Sequence, residues 1–340
     1  MSSSTYDHPY DHENDIMWSQ ASVVTRVTAA AVKIVEHAGK IIKDVMQRGD
    51  LQIVEKLSAK DLQTEADRAA QYCIRHSFLK KFGPELCIIG EEDVESPCPD
   101  FLCDTVSTDV LHYEQQCDSS LRNAQLRDLV VWVDPVDGTA EFAQGAKEKS
   151  NLLEQVTTLI GIAYRGRPVA GVVHQPFYGW NNAVHDQLQK VGRTIWTVKG
   201  TGVHGMSILP ADSAKHTIVT TRSHSNQLVV DTIEALVQAG LVDEVLRVGG
   251  AGYKIIRVLE GANAYVFASP GCKKWDTCGP EAILTEAGGR LTDVHGHPYS
   301  YDADVKSMNR AGVVASAVGT RHLDYIDALP HNVKQALREQ

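Results

Sequence analysis

The chain is predicted to fold as an α/β protein, a layered α+β sandwich in which two sheets lie between helix layers. Three observations support this. A long stretch from Ser22 carries apolar residues at helical spacing, two hairpin-like apolar stretches occupy the middle, and beyond Thr217 strands and helices alternate.

In order along the chain, residues 1–18 repeat Tyr-Asp-His with almost no apolar pattern and are expected to form a disordered tail. From Ser22, Val23, Val27, Ala30, Ile34, Ala38, Ile41 and Val45 recur at steps of three and four, and Gly49 ends the helix. A second helix is expected from about Thr64 to Phe82, stopped by Gly83-Pro84, followed by a buried strand at Leu86 to Ile89. Residues 94–128 mix Pro, Ser, Asp and Cys and read as a surface excursion, after which Leu129 to Val133 is a strand. Hairpins are expected over Val156 to His174, turning at Arg165-Gly166, and over Arg193 to Leu209, turning at Gly200 to Gly205. The later strands are Thr217 to Thr220, Val245 to Val248, Ala264 to Ala268, Arg290 to Asp293 and Gly312 to Ser316. The helices between them are Leu228 to Ala239, Tyr253 to Glu260 and Thr277 to Ala287. Two lobes follow from this pattern, residues 19–210 and 211–340.

Composition narrows the function. At 340 residues, with 43% hydrophobic and 22% charged residues, the chain is a folded protein of enzyme size. A net charge of −10 and the lack of a dense Lys/Arg stripe argue against binding a nucleic-acid polymer, so a phosphorylated ligand would need bound cations. No apolar run reaches the ~20 residues that span a bilayer, and the polar N-terminus does not look like a signal peptide, so a cytoplasmic location is expected. Seven cysteines without a C-x-x-C pair point to reduced, mostly buried thiols. Gly200 to Gly205 fits G-x-G-x-x-G literally, but strand is expected to continue after it, so it reads as a hairpin turn.

The sharpest chemical signal is Asp134-Pro135-Val136-Asp137-Gly138-Thr139, where an apolar strand runs into two carboxylates three residues apart. An Asp-rich turn would have the same local composition. Two more acidic elements stand at strand-to-loop junctions, Gly90-Glu91-Glu92-Asp93 and Trp275-Asp276-Thr277. Alone, the first would be a solvated loop and the second a helix cap. Together the three form one oxygen-rich set suited to Mg²⁺, which takes a few carboxylates plus waters and phosphate oxygens. Gly249-Gly250-Ala251-Gly252, between a strand and a helix, suits an anion.

Thr64-Glu65-Ala66-Asp67-Arg68, Gly90-Glu91-Glu92, Asp134 to Thr139 and Trp275-Asp276, in this order, resemble the lithium-sensitive inositol monophosphatase and fructose-bisphosphatase-like superfamily. Within it, Lys60 to Thr64, Thr221-Arg222-Ser223-His224-Ser225-Asn226, Arg247 to Gly252 and Ser269 to Asp276 look like the bisphosphate-nucleotidase branch. The resemblance covers roughly residues 20–330. It implies a sugar-phosphatase-like fold and two or three Mg²⁺ ions. One ion would be held by Glu91, Asp134 and the Val136 carbonyl, and a second by Asp134, Asp137 and Asp276. Asp67 and Thr139 would orient and deprotonate the attacking water, with Asp67 able to help hold a further ion. Thr139, Thr221, His224, Gly250, Lys254 and Asp276 would face the substrate, so most metal ligands fall in the first lobe and most substrate contacts in the second.

The implied reaction is lithium-inhibited, Mg²⁺-dependent removal of one phosphate from adenosine 3',5'-bisphosphate, giving AMP, with 3'-phosphoadenylyl sulfate as a further substrate. Inositol 1,4-bisphosphate is the alternative substrate, and a non-catalytic nucleotide sensor is a remote third reading. Val136, Ala140 and Phe142 depart from the family pattern; Val136 would serve equally through its carbonyl, and a lysine missing at 140 bears on affinity. No protein partner is readable.

Overall fold

The computed structural model describes residues 9–55, 62–93, 96, 102–180, 185–212 and 214–338. The first eight residues of the expected tail, and Lys60 and Asp61 of the resemblance, lie outside it. In chain order the first elements are α1 (Pro9–Gln20), α2 (Val23–Arg48), β1 (Val54–Glu55), β2 (Leu62–Gln63), α3 (Glu65–Phe82), β3 (Cys87–Gly90) and α4 (Thr108–His112). Next come β4 (Leu129–Asp137), α5 (Thr139–Glu148), β5 (Thr157–Tyr164), β6 (Arg167–Gln175), β7 (Arg193–Val198) and β8 (Thr217–Thr221). The chain continues through α6 (Gln227–Gln238), β9 (Glu244–Val248), α7 (Ala251–Leu259), β10 (Ala264–Phe267), β11 (Cys272–Lys273) and α8 (Lys274–Glu286). It closes with β12 (Arg290–Thr292), β13 (Met308–Asn309), β14 (Val313–Ser316), α9 (His322–Ala328) and α10 (His331–Ala336).

The two main sheets run β3-β4-β5-β6-β7 and β12-β14-β10-β8-β9. In the first, β3 pairs parallel with β4 and the remaining pairs are antiparallel. In the second, β8 pairs parallel with β9 and β10, as βα alternation predicts, while β14 runs antiparallel between β10 and β12. Side chains on β4 alternate between two cores: Leu129, Val131 and Val133 face α2 and α3, while Val130 and Trp132 face α7 and α8. A third core joins the far face of the second sheet to α6, α9 and α10. The layered sandwich thus has helices outside both sheets and also between them.

One close approach sets the position of α8. Gly161 and Gly171 are paired on β5 and β6, and a Cβ on either would fall within 2.4 Å or 2.2 Å of the Gly279 backbone. Only glycine lets the helix sit this near the sheet, and this brings the start of α8 beside the end of β4.

Several expectations change. Residues 9–18 of the expected disordered tail lie in α1, because Met17 and Trp18 pack against the core and the Trp18 ring lies 6.0 Å from Phe82. The excursion before β4 is partly core, with Val110, Leu111 and Leu121 buried. β4 does not end at Val133: a bulge carries it through Asp137, with Pro135 and Val136 of β4 set against Thr158 of β5. Met206 to Leu209 is not strand; a single bridge joins Trp196 to His204. Helix α8 starts three residues before Thr277, with Pro280 inside it.

Candidate active site

The bulge in β4 is the origin of the site. It turns Asp134 and Asp137 toward one cavity, where an unbroken period of two would point residues three apart to opposite faces. β3 runs parallel alongside and delivers Glu91, whose N–H donates to the Val133 carbonyl at 3.0 Å. Asp276 enters from the first turn of α8, where its carboxylate accepts the Lys273 N–H at 2.7 Å.

These groups line a cavity of about 360 Å³. Glu91, Asp134, Val136, Asp137, Thr139, Thr221, His224, Gly250, Lys254 and Asp276 all contribute to its wall. Asp67 does not line it. It is 1% exposed, and it reaches the cavity through Thr139, whose hydroxyl is 3.0 Å from Asp67 Oδ1 and 2.9 Å from the Val136 carbonyl. Its other oxygen accepts the Thr64 N–H at 2.8 Å and also the Thr64 hydroxyl, closing a capping box at the start of α3.

The electrostatics are those of carboxylates packed without enough counter-charge. Burial raises the pKa of Asp67 to about 7, only partly offset by the Thr64 hydrogen bonds. Burial, Glu91 and Asp137 raise Asp276 to about 7. Asp134 is pushed up by burial and by Glu91, Asp137 and Asp276 together. Asp137 is raised by burial, but Lys254 and three donors resist this: the Thr157 hydroxyl at 2.6 Å and the Ala251 and Gly252 N–H groups at 2.7 and 2.8 Å. Those two amides open α7, so its N-terminal end faces the acidic wall.

The donor set suits a hard divalent cation: it is all oxygen, mutually repelling and open to a cavity. Among the described residues, no three His, Cys, Asp or Glu side chains close a coordination shell by themselves. Mg²⁺ does not require such a shell, because water and substrate oxygens complete its six ligands.

The remaining lining is polar and includes the cation Lys254, close enough to Asp137 to act on its charge. The Thr221 hydroxyl accepts the His224 N–H at 3.0 Å, and Lys254, 6% exposed, donates to the Gly250 carbonyl at 2.9 Å. Residues missed by the sequence reading also shape the site. Glu141, 2% exposed, lines the cavity and accepts from Arg222 at 3.0 Å; Gln155 receives the Gly249 N–H at 2.7 Å; Tyr265, Phe267 and Ser269 complete the wall. Glu141 stands two residues past Thr139 in the acidic motif, a signal that was there to be read.

Residues 23–331 match the model of the inositol monophosphatase family. The chain belongs to that family. Among its relatives is 3'(2'),5'-bisphosphate nucleotidase 1 of Rattus norvegicus, 49% identical over 94% of this chain and 99% of the relative. The Homo sapiens protein of the same name is also 49% identical, over 94% of this chain and 99% of its own length. The suhB protein of Bartonella henselae shares the fold, with a TM-score of 0.63 at 19% identity, covering 90% of this chain and 98% of that one. The inositol monophosphatase fold expected from the sequence is therefore present. Among the described residues no helix is long and apolar enough to cross a membrane.

Proposed function

We propose that this chain is a Mg²⁺-dependent phosphomonoesterase that converts adenosine 3',5'-bisphosphate to AMP and phosphate, and 3'-phosphoadenylyl sulfate to adenylyl sulfate. The observation that carries the reading is the 49% identity, over 94% of the chain, to a protein named for 3'(2'),5'-bisphosphate nucleotidase activity. The cavity supports it, since its carboxylates share one lining with Thr221, His224, Gly250 and Lys254.

In this reading Glu91, Asp134, the Val136 carbonyl, Asp137 and Asp276 hold two Mg²⁺ ions, with Asp67 near a third. When bound, Mg²⁺ supplies Lewis-acid stabilisation of charge on the phosphoryl and leaving oxygens. The chain's own residues do the rest. Thr139 orients the attacking water, and Asp67, buried behind it with a pKa near neutrality, takes up the proton. The water oxygen forms a bond to phosphorus, the bond from phosphorus to the 3' oxygen breaks, and that oxygen takes a proton from solvent to leave as the ribose hydroxyl, while Asp67 returns its proton to solvent. Thr221 and His224 hold the nucleoside end and Lys254 faces the phosphate that stays. Asp276, in the first turn of α8, lines the same cavity and in this reading faces the substrate as well as a metal.

Chromatography of the products tests the direction of binding. AMP carrying its phosphate on the 5' position is expected, and adenosine 3'-monophosphate as the main product would contradict the assignment of Thr221, His224 and Lys254.

A further inference from the structure

A second cavity, of about 880 Å³, lies between α2, the segment around α4 and the edge strand β7, and shares no wall residue with the acidic cavity. Its volume is within the range of small-molecule sites, roughly 300–1,000 Å³. One end is closed by aromatic rings: His204 stacks on Trp196 at 4.0 Å and meets Tyr113 at 4.1 Å.

The charges on its wall do not balance. Lys33, Lys40, Lys43 and Arg193 face it, against Glu36 and Asp109. Lys33 pairs with Glu36 at 2.9 Å, and Arg193 is taken by Glu260 at 2.6 Å. Two ammonium groups then stand against the exposed carboxylate of Asp109, in a chain whose net charge is −10. Among the described residues neither Lys40 nor Lys43 forms an ion pair.

Lys43 is the unusual member. It is 3% exposed, and among the described residues its ammonium donates to the Val191 carbonyl alone, at 2.6 Å. Lysine is almost never this buried without a counter-charge. Burial and Lys40 lower its pKa to about 8, with the neighbouring Asp44 opposing them only in part, and burial and Lys43 hold the facing His174 neutral, with a pKa of about 3. His112 and His204 are the other titratable side chains besides tyrosine on this wall. The placement is built in: a Cβ on Gly39 would fall 2.3 Å from His174 Nε2, so α2 rests directly on β6 and brings Lys40 and Lys43 to the cavity.

We propose that this cavity is a second anion site, separate from the acidic one, which takes a small molecule bearing phosphate or sulfate groups, with Lys40 and Lys43 as its cationic ligands. An anion there would supply the counter-charge the lysines lack and accept charge-assisted hydrogen bonds from them. Titration calorimetry of the full-length protein with inorganic pyrophosphate, phosphate, sulfate and AMP tests it, comparing wild type with Lys40→Gln and Lys43→Met. Lys40 is exposed, so its variant keeps the fold whatever happens to the buried position. The expected result is a binding component that weakens about tenfold or more in each folded variant, with kcat/KM for adenosine 3',5'-bisphosphate unchanged. Loss for pyrophosphate, phosphate and AMP but not sulfate identifies a phosphate ligand, and loss for sulfate as well identifies a site for either. Isotherms for Lys40→Gln that match wild type for all four probes would overturn the proposal, as would a loss of binding matched by an equal fall in kcat/KM.

Discussion

Replacing Thr139 with valine keeps the shape of the side chain and removes one hydroxyl. That hydroxyl lies 2.9 Å from the Val136 carbonyl and 3.0 Å from Asp67 Oδ1, yet it has a single proton to donate. The hydroxyl donates to one of these acceptors at a time, and its bond to Asp67 Oδ1 is made with the ionised carboxylate, the form in which Asp67 can accept a proton; with a pKa of about 7 that form is populated near neutral pH. Thr139 therefore couples the buried acid to the cavity, and valine cuts that link. A positioning contact of this kind is worth about 2.7 kcal/mol or more in the transition state, at least ~100-fold in kcat. The folded state loses about 1 kcal/mol, a shift of a few degrees in Tm. Steady-state phosphate release and a thermal melt on the same preparations measure the two, and Thr139→Ser, which restores the hydroxyl, should recover most of kcat. A Thr139→Val protein with native Tm and kcat within about twofold of wild type would refute the coupling.

Three further outcomes follow from the same geometry. Asp137→Asn should lower kcat at least ~100-fold, while Thr157→Val, which removes one of three donors to Asp137, should cost about tenfold; equal losses would mean that Asp137 acts only through Thr157. His174 has a folded pKa of about 3 against 6.5 in the unfolded chain, so the unfolded state binds more protons between these values. Its contribution is complete above pH ~6.5 and is lost as pH falls toward 3. Chemical denaturation across that range should show a slope flattened by up to ~1.4 kcal/mol per pH unit in His174→Gln, and an unchanged slope would contradict its burial as a neutral ring. Lithium in the millimolar range should give mixed or uncompetitive inhibition, because Li⁺ can take a Mg²⁺ position among Asp134, Asp137 and Asp276 while carrying half the charge. Equal responses to Li⁺, Na⁺ and K⁺ at matched ionic strength would exclude that replacement.

Most of the fold and much of the candidate site were legible because they depend on local signals. Helix α2 showed its apolar period, and its Ser22 cap and Gly49 stop are both present in the structure. The carboxylates stood at the ends of strands, where a parallel β3-β4 pair brings Glu91 beside Asp134. What was hidden depends on tertiary contacts. Helix α5 carries few apolar residues and is held partly by Gly145 packing closely on Leu153. The bulge that aims Asp134 and Asp137 the same way arises from pairing with β5, which local composition does not encode. The amides of Ala251 and Gly252 that hold Asp137 come from more than a hundred residues away, as does the approach of α8 through Gly161, Gly171 and Gly279. The expected strand at Met206 to Leu209 failed because alternating apolar residues there pack beside α7 and its neighbours without a partner strand.

The central claim is that the acidic wall and the Thr221–Lys254 wall together make a Mg²⁺-dependent nucleotidase. The most direct measurement is kcat/KM for phosphate release from adenosine 3',5'-bisphosphate and from inositol 1,4-bisphosphate, each with Mg²⁺ and with a chelator. A clear preference for the nucleotide is expected, abolished by the chelator and restored by added Mg²⁺. A preference for the inositol bisphosphate, or nucleotide turnover that persists in the chelator, would contradict it.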